Sequence, residues 1–324
     1  MAYNACAMRR TRLIPLAVWC RERGIPQSTA RKMIGEGRLR AEKLGDRWMV
    51  VEDLPDTGPL TGAVVLTLFT HAGGAGKTSL TRDLGYEMAS RGKRVLLVDM
   101  DPQANLSAWL GAEEVAEGET ALAVFEGRTM PKPRAVLPNL DLLPAQVELA
   151  RAEVVLSREP HNAFALRGAL NELREVYDLI LVDSLPSLGP LAVAAALAGD
   201  GLVVPVELSR KGLQAFRTVV QVARGYGISL QRMRLWVGRS FVRLVVPTHA
   251  EGTARDREVL HTLREVLDGA VPVAHPLVRR PAVYREAQAK GVPVQLVGGE
   301  EVVRELQALG DLVEDIFRKE EVGA

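Results

Sequence analysis

The chain has 324 residues, of which 47% are hydrophobic and 25% charged, and 41 basic against 40 acidic side chains give a formal net charge of +1. This composition excludes disordered, collagen-like and uniformly basic chains, and the length fits one large domain with a small appendage. The two cysteines, Cys6 and Cys20, are too few for a disulfide framework. No apolar run reaches the roughly 18 residues of a membrane-spanning helix. We therefore expect a soluble cytoplasmic protein without a secretion signal.

Basic side chains are concentrated at the N-terminus. Residues 1–55 contain 11 Lys and Arg against 6 Asp and Glu, a net charge of +5, whereas the remaining residues have a net charge of −4. A basic module joined to a slightly acidic body is typical of proteins that bind a polyanion. Residues 53–62 contain two prolines and two glycines, a composition typical of a linker. The sequence predicts a DNA-binding domain over 1–55, a linker over 56–61 and a second domain over 62–324.

The first domain is predicted to contain two short helices and a β-hairpin. Residues 15–23 and 26–34 each have a helical pattern, and Gly24 lies between them as a stop signal. Two strands then flank the turn formed by Gly45 and Asp46. This order predicts a helix-turn-helix followed by a hairpin wing, in which the second helix can enter the major groove of DNA.

This block resembles the winged helix-turn-helix of the MerR and excisionase class. The resemblance depends on the helix order, on the stretch from Ser28 to Arg31, on the Gly37–Leu39 segment and on the wing. Polar side chains on the second helix and basic side chains on the wing are predicted to contact DNA. These are Gln27, Ser28, Thr29, Arg31, Lys32, Arg38, Arg40 and Arg47. The alternative is a basic hairpin that only packs on the larger domain or on a partner.

A glycine-rich loop follows the next strand. The β-branched run of residues 61–69 predicts a buried parallel strand, and a helical pattern begins directly after the loop. This context predicts a phosphate site, because backbone amides and the helix N-terminus can surround an anion. The lysine adds a mobile positive charge, and the threonine hydroxyl can bind Mg²⁺. The predicted nucleotide-binding residues are Gly73, Gly74, Ala75, Gly76, Lys77, Thr78 and Ser79.

Acidic side chains follow two further buried strands, at the sheet edge where ligands bind in open α/β folds. We expect Asp101 to orient the water that attacks the γ-phosphate, and Lys77 to act with it in catalysis. Asp99 and Asp183, together with Thr78, are predicted to hold Mg²⁺ or its water shell. For Asp99 a structural, helix-capping role remains the alternative.

The strict pattern GxxxxGK[ST] is absent, because His71 occupies the first glycine position. The loop instead resembles the deviant Walker A sequence KGGxGK[ST] of the ParA/MinD superfamily. The strings VLLVDMDPQANLS at 95–107 and YDLILVDSLPSLG at 177–189 resemble its other motifs, and Arg280 with Pro281 opens a segment like the one near its adenine. The resemblance implies a P-loop α/β fold with a mostly parallel twisted sheet, preceded by a small winged helix-turn-helix domain. It also implies ATP and Mg²⁺ as ligands, a homodimer, nucleoid DNA and a ParB-like partner.

One position departs from the family pattern. The signature lysine, which in the family reaches the phosphates of the dimer partner, is replaced by Ala72. We expect nucleotide binding to survive and hydrolysis to be slow or absent unless another cation substitutes, and neither His71 nor Arg82 can be assigned that role from sequence. Two functions therefore remain open: DNA partition, and nucleotide-responsive transcriptional regulation with weak hydrolysis. The acidic tail at 311–321 argues against a membrane partner.

Overall fold

The computed structural model describes residues 11–53, 62–236, 238, 240–267 and 269–321. The predicted linker over 56–61 lies outside the described residues, and so do the first ten residues.

The N-terminal module combines two short helices with a small antiparallel sheet. Its elements in chain order are β1 (Thr11–Pro15), α1 (Leu16–Arg23), α2 (Gln27–Gly35), β2 (Ala41–Leu44) and β3 (Arg47–Asp53). The two predicted helices and the hairpin are present. Gly24, between the helices, adopts the left-handed conformation that only glycine adopts easily. β1 was not predicted; it pairs with β3, which lies between β1 and β2.

The interior of this module is formed by apolar side chains from both helices and from the sheet. Ile14, Trp19, Ala30 and Val50 are buried together. The indole of Trp19 also donates a hydrogen bond of 2.9 Å to Glu52. The short helices are therefore held by tertiary packing, because isolated helices of this length are marginal in water.

The hairpin of the module packs on the larger domain. Met49 and Val51 of β3 share a buried cluster with Tyr86, Val292 and Leu296 of the larger domain. At the rim of this contact, Lys290 forms an ion pair of 3.0 Å with Asp46. One face of the hairpin is thus covered by protein.

The larger domain is built on a sheet that, within the described residues, has seven strands. The strand order is β10-β9-β4-β8-β5-β7-β6, and every neighbouring pair is parallel except the pair of β6 and β7. The predicted mostly parallel sheet is confirmed. The strands are β4 (Val64–Leu68), β5 (Val95–Asp99), β6 (Arg134–Leu137), β7 (Leu140–Leu143), β8 (Leu179–Asp183), β9 (Gly201–Glu207) and β10 (Val242–Thr248).

Helices cover both faces of this sheet. The apolar strand residues alternate between two buried clusters, one on each face. This pattern explains why the central strands are continuous hydrophobic runs. The helices are α3 (Lys77–Ser90), α4 (Asn105–Ala108), α5 (Leu122–Phe125), α6 (Arg151–Arg158), α7 (Ala165–Asn171), α8 (Pro190–Ala198), α9 (Arg210–Arg232), α10 (Ala254–Leu267), α11 (Pro281–Ala289) and α12 (Glu300–Glu321).

Strands β4, β5, β8 and β9 end at the same edge of the sheet because they run parallel. The loop after β4 and the carboxylates at the ends of β5 and β8 therefore meet there.

In the described part of the chain, no helix has the length and apolarity needed to cross a bilayer.

Candidate nucleotide-binding site

The glycine-rich loop after β4 is a cradle made of backbone. Gly74 and Gly76 have φ angles of 78° and 88°, which side chains adopt only with strain. Gly76 lies directly before α3, and its carbonyl accepts the first helical hydrogen bond, from the Leu80 amide at 2.9 Å. The loop thus directs the start of a helix into an open space, as an anion site requires.

Lys77 is the first residue of α3, and its side chain lies inside the cradle. It is 6% exposed, and its ammonium lies 3.4 Å from the carbonyl oxygen of Ala72. Burial lowers the pKa of Lys77, and the nearby carboxylates of Asp183 and Asp101 act in the opposite direction. This arrangement holds a cation at the loop without a direct ion pair that a phosphate would have to break.

Asp183 ends β8 and is fully buried. Its Oδ1 accepts a hydrogen bond of 3.2 Å from the Thr81 hydroxyl. Burial, followed by the charge of Asp99, raises the pKa of Asp183 to about 8, while the Thr78 hydroxyl and the Lys77 ammonium lower it. A carboxylate held in this way next to a threonine hydroxyl provides the oxygen ligands that Mg²⁺ prefers.

Asp99 lies beside Asp183 in the sheet register but its oxygens are already engaged. Its Oδ2 accepts hydrogen bonds from the amide and hydroxyl of Ser107 at 3.0 and 2.7 Å, and its Oδ1 accepts one from the Asp101 amide at 3.1 Å. Burial raises the pKa of Asp99 to about 6 despite these donors. Asp99 therefore braces the loop that carries Asp101, as the structural alternative has it, and its role at Mg²⁺ or its water shell stays a prediction.

Asp101 is half-buried and borders the cavity. Its Oδ1 accepts a hydrogen bond of 2.9 Å from the Gln103 amide, which fixes the orientation of the carboxylate. The side chain is thus positioned at the phosphate end of the cavity, where it can hold a water molecule.

The loop opens into a cavity of about 1090 Å³. The predicted nucleotide-binding residues Gly73, Ser79, Arg280 and Pro281 are among its lining residues, and the guanidinium of Arg280 is held by two hydrogen bonds of 2.7 Å to Glu305. Several lining residues were not predicted from sequence, and three of them are large or hold the loop. Those three residues are Trp109, Tyr284 and Thr248, of which Thr248 holds the loop by donating a hydrogen bond of 3.1 Å to the Ala75 carbonyl.

The two cations that sequence reasoning considered as replacements at position 72 do not reach the phosphate end. Arg82 is fully buried, donates a hydrogen bond of 2.8 Å to Asp83, and lies 5.7 Å from the ring centre of Trp109. His71 has a buried Nδ1 atom without a hydrogen-bond partner among the described residues. Neither side chain borders the cavity.

The predicted DNA-contacting residues divide into two groups. Those of α2 are exposed, and they are Gln27, Ser28, Thr29, Arg31 and Lys32. Arg38 and Arg40 are also exposed, and Arg38 donates a hydrogen bond of 2.7 Å to Glu36. The exception is Arg47, whose guanidinium donates hydrogen bonds of 2.9 and 2.7 Å to the carbonyls of Gln295 and Gly298. In this structure Arg47 joins the hairpin to the larger domain, and a DNA contact by Arg47 stays a prediction.

The residues present fit a magnesium–nucleoside triphosphate. The cradle supplies backbone amides and a lysine for phosphate, and the fully buried Asp183 lies beside a hydroxyl that can bind the metal. The described residues contain no cluster of three or more His, Cys, Asp or Glu that could hold a metal alone. This agrees with Mg²⁺ sites in which substrate phosphates and water complete the shell.

The fold and this site define a P-loop nucleotide-binding protein. The AAA_31 family model, described as an AAA domain, matches residues 63–230. The "Probable plasmid-partitioning protein ParA" of Thermus thermophilus is 47% identical over 304 residues, which cover 93% of this chain and 92% of that protein. The "Sporulation initiation inhibitor protein Soj" of Bacillus subtilis is 34% identical over 163 residues, covering 49% of this chain and 64% of that one. The chain therefore belongs to the ParA/MinD type of P-loop ATPase.

Solved structures agree on the fold. Apo McdA of Cyanothece superposes with a TM-score of 0.69 at 22% identity, covering 78% of this chain and 99% of that one. The cobyrinic acid a,c-diamide synthase of Mycobacterium smegmatis, bound to ADP and magnesium, has a TM-score of 0.57 at 28% identity, covering 71% and 91%.

Proposed function

We propose that the protein is an ATP-dependent DNA partition protein, which dimerises in response to nucleotide, binds nucleoid DNA in the cytoplasm and acts with a ParB-like partner. One observation carries the proposal: Lys77, Thr78 and Asp101 border one cavity at the sheet edge, and the buried Asp183 lies beside the Thr78 hydroxyl and the Lys77 ammonium. The ParA relative that spans nearly the whole chain supports a partition role.

Each site residue has a separate part in the proposed reaction. Magnesium, when bound, neutralises charge on the triphosphate. The loop amides and Lys77 bind the β- and γ-phosphates, and Thr78 with Asp183 orients the metal shell. Asp101 holds the attacking water in line with the γ-phosphate. Positioning and charge neutralisation carry this reaction, so the protein supplies little covalent chemistry.

The N-terminal module gives the protein a second DNA contact, through α2. Gln27, Ser28 and Arg31 project from an exposed helix, whereas one face of the hairpin is covered by the larger domain. We infer that α2 reads the major groove. The wing does not offer Arg47 to phosphate, because the guanidinium of Arg47 is bonded to carbonyls of the larger domain.

Calorimetry with Mg-ATP is the first test of the nucleotide site. Wild type is expected to bind, and Lys77→Ala is expected to lose at least about tenfold in affinity through loss of a charge-assisted phosphate contact. Arg158→Ala is the matched control, because Arg158 is exposed on α6, away from the cavity. Absence of nucleotide binding by folded wild-type protein would refute the proposal.

The alternative function, a nucleotide-responsive regulator with weak hydrolysis, is favoured by Ala72 and by the N-terminal module. Turnover measured with duplex DNA and a ParB-like partner separates the two functions. Stimulated turnover supports partition. Protection of one discrete operator that persists in Lys77→Ala, without stimulated turnover, supports the regulator.

A further inference from the structure

Ala72 leaves the phosphate loop without the second lysine of the family pattern, and several other cations lie near that position. Arg82 and His71 point elsewhere, as described above. Arg279 is paired with Glu251, and Arg280 is held by Glu305. Among the described residues near the cavity, Lys211, Arg255 and Arg285 remain exposed and without an ion-pair partner.

Of these three side chains, Lys211 is the one that borders the same cleft as Ala72, whereas Arg255 and Arg285 border only the nucleotide cavity. A small cleft next to the loop is bordered by Ala72, Gly73, Glu207 and Lys211. This cleft adjoins the nucleotide cavity, since Gly73 and Glu207 border both.

The start of α9 is electrostatically unusual. Its first turn contains Arg210 and Lys211 and has no acidic residue, although the N-terminus of a helix carries partial positive charge. Lys211 and Glu207 border the same cleft without forming an ion pair. Two unpaired cations at this end of a helix are destabilising, and an anion bound nearby relieves the repulsion.

We propose that Lys211 replaces the lysine missing at position 72. In the nucleotide-bound dimer, Lys211 contacts the γ-phosphate of the ATP that the partner subunit binds. This assignment rests on the proposed function and names a residue of that site. In hydrolysis a bond forms between the water oxygen and the γ-phosphorus, and the bond to the β-γ bridging oxygen breaks. The electron pair leaves with ADP and the proton of water passes to the phosphate product or to solvent. A lysine at the γ-phosphate stabilises the charge that is redistributed among its oxygens.

The test compares variants by turnover with duplex DNA and by the ratio of ATPγS to ADP affinity in the presence of Mg²⁺. Lys211→Ala is expected to lower turnover by about 100-fold, as loss of one transition-state contact does. Its ATPγS-to-ADP affinity ratio should also fall, because ADP has no γ-phosphate. Arg217→Ala, on an exposed position of the same helix, should behave as wild type in both assays. Circular dichroism confirms that each variant is folded.

Rescue provides the decisive comparison. Ala72→Lys introduced into Lys211→Ala should restore turnover and the affinity ratio, since it returns a lysine to the family position. A loss that Ala72→Lys does not restore would overturn the assignment, and so would wild-type behaviour of Lys211→Ala. A loss seen only in Arg255→Ala would overturn it as well. If wild type bound no ATP, the proposed function would fail, and the assignment of Lys211 with it. If wild type bound ATP and Lys211→Ala behaved like it, only the assignment would fail.

Discussion

Removing the guanidinium of Arg47 should release the N-terminal hairpin from the larger domain. Arg47 donates two hydrogen bonds, of 2.9 and 2.7 Å, to carbonyls of the segment 295–298. Hydrogen bonds from a charged group contribute about 1.5–3 kcal/mol each. Because Arg47 is only half-buried, we expect Arg47→Ala to weaken docking by about 3 kcal/mol in total, or roughly 100-fold in the docking equilibrium.

Native-state hydrogen exchange measures this release directly. Amides of the hairpin and of residues 292–298 should exchange faster in Arg47→Ala, while those of β4 and β8 should not change. Arg38→Ala is the control, because Arg38 is an exposed arginine of the same module whose side chain, among the described residues, bonds to Glu36 alone. Unchanged exchange, together with a salt dependence of DNA binding reduced by about one phosphate contact, would refute the docking role and restore Arg47 as a DNA contact.

Three further substitutions test the site and the core. Folding raises the pKa of Asp183 to about 8, so the folded chain retains a proton that the unfolded chain releases near pH 4. Stability of the nucleotide-free protein should therefore fall as pH rises through this window, and Asp183→Asn should flatten the decline in urea titrations. Gly212→Ala should lower the free energy of unfolding by about 2 kcal/mol, because its Cβ would lie 2.1 Å from a backbone carbonyl oxygen. Gly225 has open space around it in the same helix, so Gly225→Ala should be neutral or stabilising in thermal unfolding. Ser107→Ala should lower the free energy of unfolding by about 2–3 kcal/mol, because its buried hydroxyl donates a hydrogen bond to a carboxylate and accepts one from an amide. Ser157→Ala, at an exposed position, should change the denaturant midpoint little.

The parts predicted from sequence were those determined by local pattern. The glycine-rich loop, the apolar strand before it and the helix after it all follow from residues close together in the chain, although α3 begins at Lys77, inside the predicted loop. The parallel sheet followed because these strands alternate with helices. Local composition also predicted both short helices of the N-terminal module, since Gly24 and the residues around it give strong boundary signals.

The missed features depend on contacts that are distant in sequence. β1 has only five residues and becomes a strand because β3 supplies its partner, so its own pattern did not distinguish it from a helix start at Pro15. The direction of Arg47 depends on carbonyls about 250 positions further along the chain. Asp99 was correctly placed at the sheet edge, but its engagement by Ser107 requires the path of the following loop, which periodicity does not report.

The docked hairpin has a consequence for protein engineering. Arg47, Met49 and Val51 fit a surface formed by residues 292–298, so the hairpin and the segment that receives it form one matched unit. A chimera that imports the first 55 residues of a relative would place foreign side chains against this surface. Transplanting α2 alone, or moving the hairpin together with its receiving segment, keeps the match.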